Sequence, residues 1–306
     1  MSSTEHSAAT RFTEQSVTKR FEDSLDCWLP AVLRACAVAS ATVVMLIAVF
    51  LARESLPALE SIGPLRFFSD SGWHPTDTAS GSFNLTPMLI GTMLASVGAV
   101  MVAAPLGIAS AVFCHFAAPP RIAHAYRRLV ELLAGIPSVV YGFWGLTSLV
   151  PWLLKVSPPG QNLLAGVLVL AIMILPTVAL MSDAALAAVP RAQLAGAHAL
   201  GLGRATVVAR IALPRARAGI TTGILLAAGR AIGETMAVLM VCGNVVQVPA
   251  GLFDPVRTLT ANIALEMGYA TGDHRAALFA TGLLLLLLVA AMVLTADALS
   301  ARSRNA

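Results

Sequence analysis

Six long apolar blocks dominate this sequence, and they restrict its fold more than any other feature. A helix needs about 20 mostly apolar residues to cross the hydrocarbon core of a bilayer. The chain is 57% hydrophobic and only 12% charged, whereas soluble domains carry about 25% charged residues. The pattern therefore predicts an all-α membrane protein with six transmembrane helices. The blocks are residues 28–51, 85–116, 132–154, 163–181, 218–246 and 276–296.

The distribution of basic residues predicts the orientation of these helices. Six crossings place both termini on one side of the membrane. Of the 20 Lys and Arg residues, 14 fall on the side of the termini, 5 fall on the other side, and Arg230 lies inside the fifth block. Lys and Arg are enriched on the cytoplasmic side of membrane proteins. Both termini are therefore predicted to be cytoplasmic.

Residues 190–214 interrupt the apolar pattern with a polar, alanine-rich segment. Residues 192–200 have the composition and period of a short helix, and Gly201 supplies the left-handed backbone that often ends one. Residues 204–212 predict a second short helix, and Pro214 suits the first turn of the next span. A compact helix with a small-residue face favours docking into a groove of a soluble partner. An ordinary helical connector between two spans remains the alternative.

Arg230 and Glu234 place two opposite charges inside the fifth apolar block. If the span enters near Ala218, Arg230 lies about 18 Å along a helix, close to the bilayer midplane. On a continuous helix the two side chains share one face. The arginine fork suits a phosphate-like oxyanion, and the glutamate would hold the arginine when the path is empty. A purely structural ion pair between helices remains the alternative.

The segment 190–214 resembles the EAA loop of ABC importer permeases. The triplet of that motif falls on Ala195-Gly196-Ala197, its glycine on Gly201, and its closing pair on Leu213-Pro214. The resemblance implies that these residues couple the chain to an ATPase. The sequence departs from the motif at one place, because Ala195 stands where the motif has glutamate. Any polar contact made by that carboxylate is therefore missing.

Three further stretches resemble the PstC-type permease subunit of the phosphate-specific ABC transporter. They are GRAIGETMAV at 229–238, followed by Asn244; ELLAGIPSVVYGFWGL at 131–146; and Trp-His-Pro at 73–75, which leads to Gly-Thr at 91–92. The family usually has asparagine where His74 stands. Together the stretches extend over about residues 67–296 in the family's order. Met236 after Glu-Thr favours this type over the sister PstA subunit.

The resemblance implies a type I ABC importer permease with the MetI-like fold, in the inner membrane of a bacterium. It implies inorganic phosphate as the substrate and places Arg230, Glu234 and the adjacent Thr235 on the translocation path. The implied partners are a second permease of the PstA type, two cytosolic ATPases of the PstB type, and a periplasmic phosphate-binding protein of the PstS type. The chain has no glycine-rich Walker A loop, so a separate subunit is expected to hydrolyse ATP, and no cofactor or metal is expected.

Other functions remain open at this stage. The nearest alternative is a permease of the same superfamily for another oxyanion, such as molybdate or sulfate. A stand-alone channel or ion-coupled carrier is a different class, which the EAA-like segment argues against. An intramembrane enzyme would need paired catalytic residues, and none are readable in the sequence.

These predictions divide the chain into a short series of regions. Residues 1–27 form a cytoplasmic N-terminal segment, and residues 28–84 contain the first transmembrane helix and a periplasmic loop. Residues 85–297 form the permease core, which includes the cytoplasmic EAA-like coupling loop 190–214. Residues 298–306 form a cytoplasmic tail.

Overall fold

The computed structural model describes the backbone of residues 3–76 and 81–304, and the side chains of residues 28–76 and 81–295. The side chains of the predicted segment 1–27 and tail 298–306 lie outside these described residues. The chain divides into two units, residues 1–53 and residues 54–306. The described part of the first unit is helical, and its apolar side chains from Trp28 onward are mostly exposed. The second unit contains the core and the site residues described below.

Helices make up most of the described chain. In order the elements are α1 (Ser3–Ser61), α2 (Arg66–Ser69), β1 (Trp73–His74), β2 (Ser82–Phe83), α3 (Thr86–Val112), α4 (Pro120–Ala134), α5 (Ser138–Trp144), α6 (Val150–Leu154), α7 (Leu163–Ala187), α8 (Arg191–Ala199), α9 (Arg204–Val207), α10 (Leu213–Ile232), α11 (Met236–Val241), α12 (Leu259–Glu266) and α13 (Gly272–Arg304). Single π-helical turns at Phe113–Ala117, Gly145–Leu149 and Val208–Ala212 extend α3, join α5 to α6, and join α9 to α10.

Four of the described helices are long and apolar enough to cross a membrane: Trp28–Ser61, Thr86–Ala117, Leu163–Ala187 and Gly272–Thr295. A fifth crossing is possible if α4 and the helix Ser138–Leu154 are one span, although the two meet at a bend of 93°. This bend divides the block predicted at 132–154. Its cause is local, because Pro137 has no amide hydrogen and disfavours a helical backbone at Ile136. The chain is therefore a multi-pass membrane protein with four or five spans on composition.

Helix α7 is the centre of the core. Two thirds of its apolar window (67%) is buried inside the protein, and it packs against α3, α4 and α10. Its first turn is capped by Asn162, whose side chain accepts a hydrogen bond from the Ala165 amide (2.9 Å). An apolar helix with this much of its surface covered by protein has little contact with lipid. The other helices of the core are therefore arranged around α7.

Glycines let α10 approach α7 closely. A Cβ placed on Gly219 would lie 2.6 Å from the Ala185 side chain, and one on Gly223 would lie 2.6 Å from Met181. Both distances are too short for real atoms, so a larger residue at either position would force the helices apart. Two small residues four positions apart on one helix thus permit the close packing of α10 against α7.

A second apolar cluster surrounds the two-stranded sheet. Trp73 pairs with Phe83 across the antiparallel ladder, and their rings meet edge to face at 6.0 Å. Phe67 and Met88 are buried in the same cluster. The described part of the predicted periplasmic loop therefore contains regular structure. Residues 52–61 continue α1, and Phe67, Trp73 and Phe83 are buried together, whereas Phe68 is 52% exposed.

The Gly-Thr pair at 91–92 joins α3 to the chain before α12. A Cβ on Gly91 would lie 2.8 Å from the carbonyl oxygen of Arg257. The Thr92 hydroxyl donates to the Met88 carbonyl (2.8 Å) and accepts from the Leu259 amide (3.0 Å). Gly91 permits the close approach of the two segments, and Thr92 holds them together by hydrogen bonds. Both residues of the pair therefore have a structural role.

We expect Gly91→Ala to destabilise the protein, because the added methyl group would overlap a backbone carbonyl. A backbone group, unlike a side chain, cannot rotate away. Overpacking of this kind costs about 1–3 kcal/mol. Gly196→Ala is the matched control, since Gly196 also lies in a helix but has no atom within 4 Å of its Cβ position. Thermal unfolding in detergent should show a lower Tm for Gly91→Ala and an unchanged or higher Tm for the control. Equal Tm values would contradict the tight contact.

Candidate functional site

The fifth apolar block is interrupted in its middle. Helix α10 ends at Ile232, and α11 begins at Met236. The continuous helix predicted over 218–246 is therefore wrong. Glycine is a poor helix former, and a threonine side chain hydrogen-bonds readily to nearby backbone. The sequence Gly233-Glu234-Thr235 combines these properties, and it is the signal that an apolar-block argument overlooks.

Arg230 lies in the last turn of α10 and is exposed. Among the residues with described side chains, none forms a hydrogen bond or an ion pair with its guanidinium. The C-terminal end of a helix carries partial negative charge, which favours a cation at this place. Arg230 is thus positioned by its helix and free to bind an anion.

Glu234 serves the backbone and does not pair with Arg230. Its carboxylate accepts a hydrogen bond from the Ala237 amide (3.3 Å) and so caps the first turn of α11. Its carbonyl accepts from the Thr260 hydroxyl (2.7 Å). The expectation that both charges share one helix face is wrong, because the helix ends between them. Glu234 therefore stabilises the turn between α10 and α11 and does not neutralise the charge of Arg230.

Thr235 completes the break. It is partly exposed, and its hydroxyl donates to the Gly233 carbonyl at 3.4 Å. The three residues predicted for the translocation path thus lie within six consecutive positions, from the last turn of α10 to the start of α11. Arg230, Gly233 and Met236 are all exposed here, so the break has a surface open to a ligand or a partner.

The other end of α11 is closed by four separate hydrogen bonds. Helix C-termini leave carbonyl groups without partners inside the helix. Here the carbonyls of residues 239–242 each receive a donor. The donors are the Asn244 and Gln161 side-chain amides and the Asn162 and Val256 backbone amides, at 2.7–3.1 Å. Gly243 (φ +86°) and Asn244 (φ +54°) turn the chain so that these bonds form. Sequence reasoning noted Asn244 but did not find this role.

The predicted coupling loop has the expected helix–turn–helix form. Helix α8 matches the helix predicted at 192–200, Gly201 takes a left-handed backbone (φ +79°), and Pro214 sits in the first turn of α10. The hairpin borders an open groove of about 940 Å³, lined by apolar residues and by Arg210, Arg215 and Arg217. The helix α8 and the turn at Gly201 are confirmed, but the second helix predicted at 204–212 does not end there, because it continues through a π-helical turn into α10.

The motif residues of this loop differ in exposure. Ala195, Gly196, Gly201 and Pro214 are exposed, Leu213 is half-buried, and Ala197 is buried. Leu200, at the end of α8, is 83% exposed. A small-residue face with a fully exposed leucine at its end is a surface that another protein can cover.

Comparison with known proteins gives the family. A family model described as "Binding-protein-dependent transport system inner membrane component" matches residues 103–305. The chain is 36% identical to the probable ABC transporter permease protein YqgH of Bacillus subtilis (strain 168), over 89% of this chain and 90% of that protein. It is 35% identical to the phosphate transport system permease protein PstC of Mesorhizobium japonicum, over 90% of both chains.

Solved structures show the same fold. A structure of the MetNI methionine ABC transporter in inward-facing conformations matches with a TM-score of 0.56 and 18% identity, over 72% of this chain and 94% of that chain. A bacterial ABC transporter for alginate matches with a TM-score of 0.56 and 16% identity, over 71% of this chain and 79% of that chain. The fold is therefore that of an ABC importer permease. The chain belongs to the family of binding-protein-dependent transport system inner membrane components, as a permease of the PstC type.

Proposed function

We propose that this chain is one permease half of an ATP-driven importer of inorganic phosphate. The observation that supports the proposal best is the exposed Arg230 at the end of α10, without a carboxylate partner among the described side chains. An arginine in an apolar segment is costly, and it is usually a functional residue. In a chain similar to phosphate transport permeases, phosphate is the anion that this guanidinium fits.

The proposed topology has six crossings with both termini in the cytoplasm of a bacterial inner membrane. Helices α10 and α11 supply the crossing beyond the four or five that are apolar enough by themselves. Every 18-residue window of α10 includes Arg215, Arg217 and Arg230, which explains its polar composition. Together α10 and α11 provide about 40 Å of helix, more than the thickness of the hydrocarbon core.

The proposed assembly contains a second permease of the PstA type, two ATPases of the PstB type and a phosphate-binding protein of the PstS type. Phosphate would enter from the binding protein and pass between the two permeases, where Arg230 would be one contact among several. Weak binding shared among several groups allows the anion to leave as well as to enter. ATP hydrolysis in the separate subunits would drive the change of access through α8.

We expect Arg230→Gln to lose phosphate uptake while leaving the transporter assembled. Loss of one charge-assisted contact costs about 1.5–3 kcal/mol, so uptake should fall by about tenfold or more. The measurement is uptake of labelled phosphate by membrane vesicles loaded with ATP. Arg128→Gln is the matched control, because Arg128 is exposed on α4 and lies outside the break. Normal uptake by the Arg230 variant would remove this residue from the path.

The same uptake measurement tests the choice of anion. Unlabelled phosphate should suppress the labelled signal, while molybdate and sulfate at equal concentration should leave it nearly unchanged. Strong competition by either of those anions would instead assign the chain to the other oxyanion importers. No specific feature of the break favours that alternative.

The coupling surface can be tested without disturbing the chain's own packing. No atom lies within 4 Å of a Cβ on Gly196, so Gly196→Leu should fold normally yet obstruct an ATPase docked on α8. We expect the variant to retain little of the ATPase in co-purification. Gly268→Leu is the control, since Gly268 has equally open surroundings but lies outside the coupling loop. Undiminished ATPase recovery with Gly196→Leu would show that the ATPase does not dock on α8. It would also restore the stand-alone channel as an alternative function.

A further inference from the structure

The chain around α12 is tied to both ends of the short helix α11. We name residues 256–266 the α11 clamp. At one end the Thr260 hydroxyl donates to the Glu234 carbonyl (2.7 Å). At the other end the Arg257 Nε donates to the Asn244 carbonyl (3.0 Å). One stretch of chain therefore holds the break that carries Arg230 and also the turn on the far side of α11.

The clamp is itself fixed to the core. The Leu259 amide donates to the Thr92 hydroxyl (3.0 Å), which attaches the start of α12 to α3. The Val256 amide donates to the Cys242 carbonyl (2.8 Å). The backbone of the clamp is thus held directly against its neighbours. Its link to Asn244 differs, because it passes through the long and flexible Arg257 side chain.

Glu266 holds that side chain in place. Its Oε1 accepts from the Arg257 Nη1 at 2.7 Å, and the Asn262 Oδ1 accepts from the same nitrogen at 3.1 Å. The Glu266 side chain is 9% exposed and the Arg257 side chain 19% exposed. Ions this well covered are stable only when paired, and removal of one partner leaves an uncompensated buried charge.

The second oxygen of Glu266 binds two other parts of the chain. The Trp73 Nε1 donates to Oε2 (2.8 Å), and the His274 Nε2 lies 2.9 Å from the same atom. Trp73 belongs to β1 and His274 to α13. One carboxylate therefore joins the small sheet, the start of α13 and, through Arg257, the C-terminal turn of α11.

We propose that Glu266 is a positioning residue for translocation. It holds Arg257 against the Asn244 carbonyl and so fixes the far end of α11, while Thr260 fixes the end that contains Glu234. Glu266 touches neither Arg230 nor the break, and it acts on them only through this clamp. The inference rests on the proposed function for its meaning in transport, but the mechanical link is a property of the fold.

Glu266→Gln separates this role from general packing. Glutamine has the same shape but carries an amide in place of one oxygen. If the amide faces Arg257, two donors meet and the guanidinium is released. If it faces the other way, the Trp73 N–H loses its acceptor, and Arg257 keeps an oxygen partner but loses the negative charge that compensates it. Trp73→Phe is the comparison for general packing, because it removes that N–H and part of a buried ring but keeps Glu266 paired with Arg257. Thr260→Val removes the clamp's other tether.

Two measurements on the assembled transporter test the proposal. In hydrogen–deuterium exchange, Glu266→Gln should raise the exchange of residues 234–245 by about tenfold, whereas Trp73→Phe should leave it unchanged. In uptake assays, Glu266→Gln and Thr260→Val should lower the maximal phosphate rate by at least about fivefold, with an unchanged half-saturating concentration of the phosphate-loaded binding protein. Trp73→Phe should retain the normal rate.

The possible outcomes separate this inference from the proposed function. If Glu266→Gln shows normal exchange and a normal maximal rate, the positioning role is overturned. The role is also overturned if Trp73→Phe matches Glu266→Gln in both measurements, because Glu266 then only stabilises the fold. If exchange rises as expected but even the unmodified transporter fails to take up phosphate, the clamp stands and the proposed substrate fails.

Discussion

The structure depends on how the interrupted helix between Ile232 and Met236 satisfies its backbone. In an apolar core each unpaired N–H or C=O costs several kcal/mol, so a broken helix survives only where other groups replace its internal bonds. The replacements come from distant parts of the chain. Thr260 serves the entry to α11, and Gln161, Asn162 and Val256 serve its exit. The polar residues near the break are therefore largely committed to the backbone and are not available as ligands.

This commitment leaves Arg230 without a hydrogen-bond or ion-pair partner among the described side chains, which is the state that the proposed anion path requires. Glu234 would compete with any anion if it formed an ion pair with the arginine, because the pair would have to separate at each cycle. Instead its carboxylate caps α11 through the Ala237 amide. Because the helix is broken between them, Glu234 and Arg230 have separate roles, whereas on a continuous helix they would form an ion pair. The glutamate orders the turn, and the arginine keeps its hydrogen-bond donors free.

Local patterns predicted much of the fold, while contacts between distant residues escaped them. Apolar blocks located the helices of the core, and glycine and proline located the coupling hairpin, because both signals act within a few residues. The break at Gly233 was hidden because the longer segments on both sides of Gly-Glu-Thr are mostly apolar, although glycine and threonine both favour a helix end. Glu266 and Trp73 are separated by 193 positions, and no pattern in sequence spacing could pair them.

The exposure of Arg230 also indicates what a single chain lacks. An exposed guanidinium in lipid would be unfavourable, so the surface that carries it must face water or a second protein. The same chain buries two thirds of the apolar window of α7 and leaves apolar side chains of α3 and α13 uncovered. Uncovered apolar side chains can face lipid, but a cation without a partner among the described side chains cannot. In the proposed assembly the second permease supplies the opposite wall, and the anion site exists only when both halves are together.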